Sequence, residues 1–394
     1  MGWTLDSFDF FLLVFCIPAI ASEFGTKPSA VMTAVLLTLI FRPVGAVLFG
    51  ILSDRYGRKP ILIANILSFA LIEMACAFAP SLPVLLVLRA LFGVAMGGVW
   101  GVGAALTFET LPREGRGTFS GILQEGYAVG SILAAGAFGF LFSLLGWRGL
   151  FLLGAAPLLL IPYIWGKVEE SPLWLAAAES RAAWRRVPFS LRGTMRSLHF
   201  MLQFLPTFIF LVVLMTAFMG FSHGTQDLYP TFLTVQMKLT ARTVGTIGVL
   251  YGFGSIGGGF VFGTLSEHWG RKRAIIVASL LAIPVIPLFA YGHSAWTLAL
   301  GAVLMQFMVQ GAWGVVPAYL LELTPAPMRA TAPGLAYQLG GLLTAWNGVA
   351  QARAAEHWGS YPHVLAATVV LMALALAGLA LLGREASGEE LSVT

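Results

Sequence analysis

Apolar runs of roughly 20 residues follow one another along the whole chain, each ended by charges, proline or glycine. A helix of about 20 residues crosses the roughly 30 Å hydrocarbon core of a bilayer, so each run is long enough to span a membrane. Only 10% of the 394 residues are charged, whereas soluble domains carry about 25%. We therefore predict an all-α polytopic membrane protein. The twelve predicted spans are residues 1–22, 30–52, 60–79, 83–106, 118–143, 148–167, 202–227, 242–265, 273–292, 295–318, 331–351 and 361–383.

The lysines and arginines indicate how these spans are oriented. If the N-terminus is inside, the inside segments hold 16 of the 23 and the outside segments hold 5, while Arg42 and Arg89 fall within spans. Cytoplasmic loops carry the excess of Lys and Arg, so we predict that both termini are cytoplasmic and that the membrane is the plasma (cell inner) membrane. The net charge of +5 is dispersed in short clusters, which is not the footprint of a nucleic-acid-binding protein.

Three motifs recur at a single displacement of 213 residues. The matched pairs are Gly50-x3-Asp54-x2-Gly57-Arg58-Lys59 with Gly263-x3-Glu267-x2-Gly270-Arg271-Lys272, Trp100-Gly101 with Trp313-Gly314, and Glu109-x2-Pro112-x3-Arg116 with Glu322-x2-Pro325-x3-Arg329. Such self-similarity indicates a duplicated unit, here six spans in the same orientation around a central cavity. We predict an N-terminal bundle over residues 1–167, a cytoplasmic linker over 168–200, and a C-terminal bundle with a short cytoplasmic tail over 201–394.

Other signals argue against a leader peptide and a cofactor. The chain opens without a cationic segment, which does not fit a cleavable signal peptide, and its first span is barely long enough, so we expect residues to be missing upstream. Cys16 and Cys76 lie inside apolar runs, so we predict neither a disulfide nor a metal site. Gly252-x-Gly254-x2-Gly257 spells a dinucleotide-binding motif inside an apolar helix, without its strand context. We expect no cofactor.

These motifs resemble those of the major facilitator superfamily across essentially the full length. Gly50 to Lys59 is similar to the loop motif between helices 2 and 3 of that superfamily, and Gly263 to Lys272 is similar to its weaker copy between helices 8 and 9. Within helix 7, Ser222-His223-Gly224-Thr225-Gln226-Asp227-x3-Thr231 resembles the signature of the Jen-type carboxylate permeases in the sialate:proton symporter family. That signature begins with Asn, where this chain has Met219. The resemblance implies alternating access and carriage of an organic acid with a proton.

Arg42 is the first candidate for binding substrate. An ionisable group at the centre of a membrane helix costs at least about 2.5–3.5 kcal/mol, and the repeat places Ser255 at the equivalent position. A guanidinium binds a carboxylate, with two hydrogen bonds where geometry allows. The alternative is a structural ion pair with Asp6 or Asp9. The other predicted substrate-binding residues are Ser222, His223, Gln226 and Gln124.

Helix 7 supplies the candidates for proton chemistry. His223, Gln226 and Asp227 stand at i, i+3 and i+4, so their side chains can meet. Histidine is the side chain whose charge changes nearest to neutral pH, and a carboxylate fixes its tautomer. The alternative is a hydrogen-bond network that only packs helices. The predicted proton-coupling residues are Asp6, Asp9, His223, Asp227 and Glu125.

The loop motifs predict gates on the cytoplasmic side. Ion pairs there could hold the bundles together in one conformation and break during each cycle. The predicted gating residues are Gly50, Asp54, Arg58, Arg116, Glu267, Arg271 and Arg329.

The sequence thus predicts a proton-coupled symporter for a short-chain monocarboxylate such as lactate, pyruvate or acetate, functional as a monomer in the lipid bilayer. Two alternatives stay open. One is a symporter of the same fold for sialic acid, an aromatic acid or a dicarboxylate, and the other is a non-transporting membrane sensor. An enzyme is not predicted, because no nucleophile–base pair or cluster of metal ligands is found.

Overall fold

The computed structural model describes residues 2–110, 116–171, 174–175, 191–324 and 332–385. Side chains are described throughout these ranges except at 2–3, 54, 100, 104–105, 107–110, 116–124, 191–203 and 321. The helices are α1 (Gly2–Glu23), α2 (Pro28–Tyr56), α3 (Arg58–Ala77), α4 (Leu82–Thr110), α5 (Arg116–Leu153), α6 (Leu160–Lys167), α7 (Leu191–Gln226), α8 (Tyr229–Val235), α9 (Ala241–Trp269), α10 (Arg271–Leu281), α11 (Ile286–Ala290), α12 (Ala295–Glu322), α13 (Ala332–Thr344), α14 (Asn347–Trp358) and α15 (Tyr361–Leu382).

The predicted all-helical membrane fold is confirmed, and it contains breaks that the apolar runs did not show. Ten segments of the described residues are long and apolar enough to cross a membrane as single helices. The sixth predicted span is divided between the end of α5, a short 3₁₀ turn at Ala156–Leu159, and α6. The eleventh is divided between α13 and α14. A hydropathy average does not reveal these breaks, because it does not report whether the backbone continues as one helix.

Span 7 differs from its prediction at both ends. The helix begins at Leu191, before the predicted residue 202, and it is interrupted after Gln226. It then resumes as α8, with Pro230 in the first turn, a position where proline costs no helical hydrogen bond. The interruption falls at Asp227, within the predicted proton-coupling segment.

The repeat in the sequence is also a repeat in the packing. α4 packs against α2 as α12 packs against α9, and glycines allow the close approach in both halves. A Cβ at Gly45 would lie 1.8 Å from the carbonyl oxygen of Val94, and one at Gly258 would lie 2.0 Å from that of Phe307. Gly45 and Gly258 are separated by the same 213 residues, so the duplicated unit includes its packing contacts.

A matching pair of carboxylates caps the helices that follow the two loop motifs. The Glu170 carboxylate accepts hydrogen bonds from the backbone N–H of Arg58 at 3.0 Å and of Lys59 at 3.2 Å. Glu385 does the same for the backbone N–H of Arg271 at 2.9 Å and of Lys272 at 3.2 Å. A negative charge at a helix N-terminus is stabilising. In each half, a carboxylate that follows the last helix therefore stabilises the helix that begins after the loop motif.

The outside of the molecule is apolar, as a bilayer requires. Large hydrophobic side chains such as Leu144, Phe253, Leu371 and Leu382 are exposed. Soluble monomers rarely expose broad apolar surfaces, so these side chains face lipid. The ionisable groups of the spans are instead buried between helices, as expected for polar groups at membrane depth.

Among the described residues, several contacts join the two halves on one face. We call the face that carries the turns at Gly57 and Gly270 the inner face, and the opposite one the outer face. Near the outer face, a Cβ at Gly245 of α9 would lie 2.4 Å from the Cα of Gly139 in α5. There the Glu356 carboxylate of α14 also accepts hydrogen bonds from the Ser29 backbone N–H at 2.8 Å and the Ser29 hydroxyl at 2.7 Å, at the start of α2. The structure is therefore closed on its outer face.

Candidate functional site

A small cavity lies between the two halves, and each half contributes six of its lining residues. Its volume is about 30 Å³, which is room for one or two water molecules. The lining residues are Asp6, Ser7, Phe10, Arg42, Met96 and Tyr127 from the N-terminal half, and Met219, Ser222, His223, Gln310, Trp313 and Tyr337 from the C-terminal half. A substrate larger than water requires the halves to move apart.

Arg42 and Asp6 form the charged wall of the cavity. Arg42 Nη2 lies 3.6 Å from Asp6 Oδ2, and both residues are buried. The backbone of Arg42 is held against α4, because a Cβ at Gly97 would lie 1.9 Å from the Arg42 carbonyl oxygen. At 3.6 Å the ion pair is looser than a hydrogen-bonded one, so the guanidinium can exchange a contact with Asp6 for one with an incoming carboxylate.

His223 lies on the opposite wall, next to the interruption of α7. Its Nδ1 is 3.1 and 3.2 Å from the two carboxylate oxygens of Asp227. The imidazole also packs edge-on against Phe10, with ring centroids 5.7 Å apart. Asp227 does not line the cavity. It lies behind the imidazole, where a carboxylate fixes the orientation and the tautomer of the ring.

Hydrogen-bonded amides connect helix α7 to α12 and α5. Gln226 Nε2 donates to Gln306 Oε1 at 2.6 Å, and Gln306 Nε2 donates to the Thr225 hydroxyl at 3.1 Å. The Tyr127 hydroxyl donates to Gln226 Oε1 at 3.4 Å. Gln226 was predicted to bind substrate, but it does not line the cavity in this closed conformation. Its amide oxygen contacts Tyr127, which does line the cavity.

The second carboxylate of α1 belongs to a different cluster. Asp9 has no exposed surface and is absent from the cavity lining. A Cβ at Gly154 would lie 2.8 Å from Asp9 Oδ1 and 2.5 Å from the Cγ of Glu73. Glu73 in turn forms an ion pair with Arg89 at 2.9 Å, with both side chains fully buried. The structure therefore separates Asp6 and Asp9, which the sequence had left interchangeable.

The remaining predicted residues lie away from the cavity. Glu125 is half-buried on α5 and faces α9, where a Cβ at Gly259 would lie 2.9 Å from its Oε1. Arg271 pairs with Glu322 at 2.9 Å within the C-terminal half, and Glu267 is exposed. Gly50 has open space at its Cα. Arg329 lies outside the described residues, and the side chains of Asp54, Arg116 and Gln124 lie outside those that the structure describes.

Sequence reasoning missed the aromatic and amide residues of the cavity. Tyr127, Gln310, Trp313 and Tyr337 line it, yet none is ionisable at neutral pH, so none was conspicuous in an apolar helix. The repeat contained the missing signal. Subtracting 213 from Tyr337 gives the predicted substrate-binding residue Gln124, and subtracting it from Trp313 gives Trp100 of the recognised pair.

The cavity therefore offers a buried cation, a neutral hydrogen-bonding wall and an imidazole whose far side is tied to a carboxylate. The Gln310 amide donates to the Ser222 hydroxyl at 3.4 Å, so polar donors continue across the wall beside His223. The cavity thus brings a cation, an imidazole and neutral hydrogen-bonding groups together between the two halves.

Comparisons with known proteins identify the family and the fold. The profile described as Major Facilitator Superfamily matches residues 2–345 and 228–392. A "Probable 4-methylmuconolactone transporter" of Cupriavidus pinatubonensis is 30% identical over 97% of this chain and 88% of that protein. A "Carboxylic acid transporter protein homolog" of Saccharomyces cerevisiae is 28% identical over 91% of this chain, which spans 60% of the yeast protein's length. Among solved structures, the partially occluded inward open xylose transporter XylE from E. coli matches with a TM-score of 0.76 at 18% identity, over 99% of this chain and 97% of that one.

Proposed function

The chain belongs to the major facilitator superfamily, and from that membership we propose that it is a proton-coupled symporter of a small organic acid. The family and the relatives are transporters and not enzymes. Within organic acids, the proposal favours a short-chain monocarboxylate such as lactate, pyruvate or acetate. We further propose that it works as a monomer in the plasma (cell inner) membrane, with both termini cytoplasmic, by alternating access.

One observation carries the proposal: Arg42 and His223 line the same cavity from opposite halves. The guanidinium supplies a fixed positive charge for a carboxylate, and the imidazole supplies a proton-binding group at the same depth. Because both groups are removed from bulk water, their interactions with a bound anion are stronger than at an exposed surface. A carboxylate and a proton are thus recognised by groups that move with different halves.

The expected cycle follows from these positions. The substrate carboxylate replaces Asp6 as the partner of Arg42, and the loaded cavity closes when the halves meet. The transported proton binds at the hydrogen-bonded pair of His223 and Asp227, which lies at the interruption of α7. Interrupted helices of this kind form binding sites in transporters. A monoanion moving with one proton carries no net charge across the membrane.

Purified protein reconstituted in proteoliposomes tests this proposal. A pH gradient, acidic outside, should drive labelled lactate uptake to about tenfold accumulation per pH unit, since one proton per substrate transfers that free energy. A potential imposed with potassium and valinomycin at equal pH should drive none. Accumulation under the potential alone would contradict electroneutral one-to-one coupling, and absence of any carboxylate flux would contradict transport and favour the sensor.

A second substrate class is favoured by the cavity walls. Phe10, Tyr127, Trp313 and Tyr337 line the cavity together with Arg42, and aromatic faces suit an unsaturated or ring-bearing acid. The 4-methylmuconolactone name of one relative fits the same class. Competition of sialic acid, benzoate and succinate against labelled lactate decides between the classes, because the preferred substrate gives half-inhibition at the lowest concentration.

A further inference from the structure

At the interruption of α7, a side chain from another helix binds a main-chain carbonyl. The Asp227 N–H donates to the His223 carbonyl at 3.0 Å, as it would in a continuous helix. The next carbonyl, that of Gly224, would accept from the Leu228 N–H if the helix continued. It accepts from Gln351 Nε2 of α14 instead, at 3.1 Å. This contact lies one residue along the chain from His223.

The Gln351 amide is fixed in this contact. Gln351 is buried, and its Nε2 also donates to the Thr368 hydroxyl at 2.8 Å, while that hydroxyl donates to the Val364 carbonyl at 2.8 Å. Both neighbours of the amide therefore act as acceptors, so its nitrogen must face them. A Cβ at Gly224 would lie 2.6 Å from Thr368 Cγ2, so only glycine allows this approach. Without Gln351 the buried Gly224 carbonyl would lose its donor, which is costly.

Helix α14 contacts α7 on one side. It is separated by a break from α13, and it ends at Gly359, whose φ of 64° is in the left-handed region. Asn347 and Gln351 are four residues apart, so they lie on the same side of the helix. Asn347 Nδ2 lies 3.5 Å from the Gly220 carbonyl oxygen of α7. This side of α14 therefore follows the last turns of α7 before its interruption.

Another side of α14 contacts the N-terminal half. Gly348 and Glu356 are eight residues apart and lie on the same side of the helix. A Cβ at Gly348 would lie 3.1 Å from Met32 Sδ of α2, and the Glu356 carboxylate accepts from the Ser29 N–H and hydroxyl. One short helix thus carries both the contact that closes the outer face and the contact at the interruption of α7.

We propose that α14 links closure of the outer face to the proton-binding pair of His223 and Asp227, with Gln351 as the positioning residue that holds α7 interrupted. The inference rests on the proposed symport. When the outer face opens, Glu356 leaves Ser29, and α14 moves as one body between its two ends. Gln351 moves with it and releases the carbonyl beside His223. Because coupling between two sites is reciprocal, occupancy of the pair also biases closure of the outer face.

Hydrogen–deuterium exchange read by mass spectrometry tests this link without transport. Glu356→Ala removes the contact with Ser29 and does not touch α7, so exchange of the amides at residues 228–229 should rise several-fold. Glu23→Ala is the matched control, because the Glu23 carboxylate also lies on the outer face but pairs with Arg148 inside the N-terminal half. It should leave exchange at the interruption unchanged. No rise in Glu356→Ala, or an equal rise in both variants, would overturn the inference.

A double variant separates transmission from simple support of the helix. Gln351→Met keeps the length of the side chain but removes the donor, so exchange at the interruption should rise in this variant by itself. If Gln351 transmits the movement of α14, Glu356→Ala should add nothing further in the Gln351→Met background. A residue that only supports packing would give independent, additive increases, and these would contradict the proposal. The result for Glu356→Ala stands whether or not Gln351→Met folds.

Uptake distinguishes failure of this inference from failure of the proposed function. In folded Gln351→Met, accumulation of labelled lactate under a gradient of one pH unit should fall from about tenfold towards onefold, because closure no longer follows the proton. Full accumulation by this variant would overturn the role of Gln351. A wild type that accumulates no carboxylate would contradict the symport itself. A wild type that accumulates lactate without any effect of Glu356→Ala at the interruption would contradict only the role of α14.

Discussion

Asp6 and Asp9 show how far single residues could be predicted from the sequence. Their occurrence in an apolar helix predicted a functional role, since ionisable groups at membrane depth are expensive. Their partners could not be predicted, because side chains three residues apart on a helix point in somewhat different directions and can contact different neighbouring helices. Asp6 pairs with Arg42 of α2, and Asp9 lies beside Glu73 of α3. Only the rotation of α1 within its bundle decides between these partners.

Arg42 is expected to be indispensable for uptake. Arg42→Ala should reduce carboxylate uptake by about 30-fold or more, since losing one member of a buried charge pair costs about 2–5 kcal/mol. Arg42→Lys should retain part of the activity, because lysine keeps the charge but loses the planar fork. Initial uptake rates in proteoliposomes measure both effects. Unchanged uptake by Arg42→Ala would remove the anchoring role, provided that the variant elutes as a monodisperse species in size-exclusion chromatography.

Asp227 is expected to act through His223. Asp227→Asn keeps the size of the side chain but replaces the carboxylate that accepts from Nδ1, so proton-driven uptake should fall and its pH profile should change. Because the two residues form one hydrogen-bonded unit, His223→Gln/Asp227→Asn should be no slower than His223→Gln alone. The four proteins are compared by initial uptake rates over a range of external pH. Independent, additive losses would contradict action through the imidazole.

Among helices, the position of each span followed from hydropathy, whereas the breaks did not. A run of apolar residues reports where a helix lies in the membrane but not whether its backbone continues. The interruption of α7 after Gln226 lies within the apolar segment Phe204–Val235, next to Asp227 and before Pro230. The glycine contacts between α2 and α4 were likewise hidden, because a sequence shows which residues are small but not which face a neighbour.

Gly97 should be required for the position of Arg42. In Gly97→Ala the new methyl would lie 1.9 Å from the Arg42 carbonyl oxygen, so α2 and α4 must separate, at a cost of about 1–3 kcal/mol. Both the melting temperature and the uptake rate should fall.

Gly101 provides the matched control, one turn further along α4. A Cβ there meets no described atom within 4 Å, so Gly101→Ala should stabilise the helix by about 0.5–1 kcal/mol. Thermal unfolding in detergent and uptake in proteoliposomes compare the two variants. Equal melting temperatures would show that close packing at Gly97 is not needed.

For the whole molecule, the repeat predicted two related halves. Its 213-residue displacement also relates the cavity residues Tyr337 and Trp313 to Gln124 and Trp100, a relation that the sequence prediction did not use. The repeat could not predict how closely the halves meet, because that depends on a conformational equilibrium rather than on the duplicated unit. Ser29 and Glu356 illustrate the difference. They belong to different halves and are not related by the repeat, yet the Glu356 carboxylate caps the start of α2. Alternating access requires this contact to break whenever the outer face opens.

Linking Ser29 to Glu356 should therefore stop transport. In Ser29→Cys/Glu356→Cys, a short bifunctional thiol reagent should abolish uptake. If the reagent contains a cleavable disulfide, reduction should restore uptake. The native Cys16 and Cys76 are fully buried and should not react. Tyr291→Cys/His363→Cys is the matched control, since these two exposed rings lie 5.7 Å apart on the outer face within the C-terminal half. That link should leave uptake intact, because it joins parts that move together. Undiminished uptake by a fully linked Ser29–Glu356 pair would mean that the outer face does not open between α2 and α14, and the substrate would have to enter along another boundary between the halves.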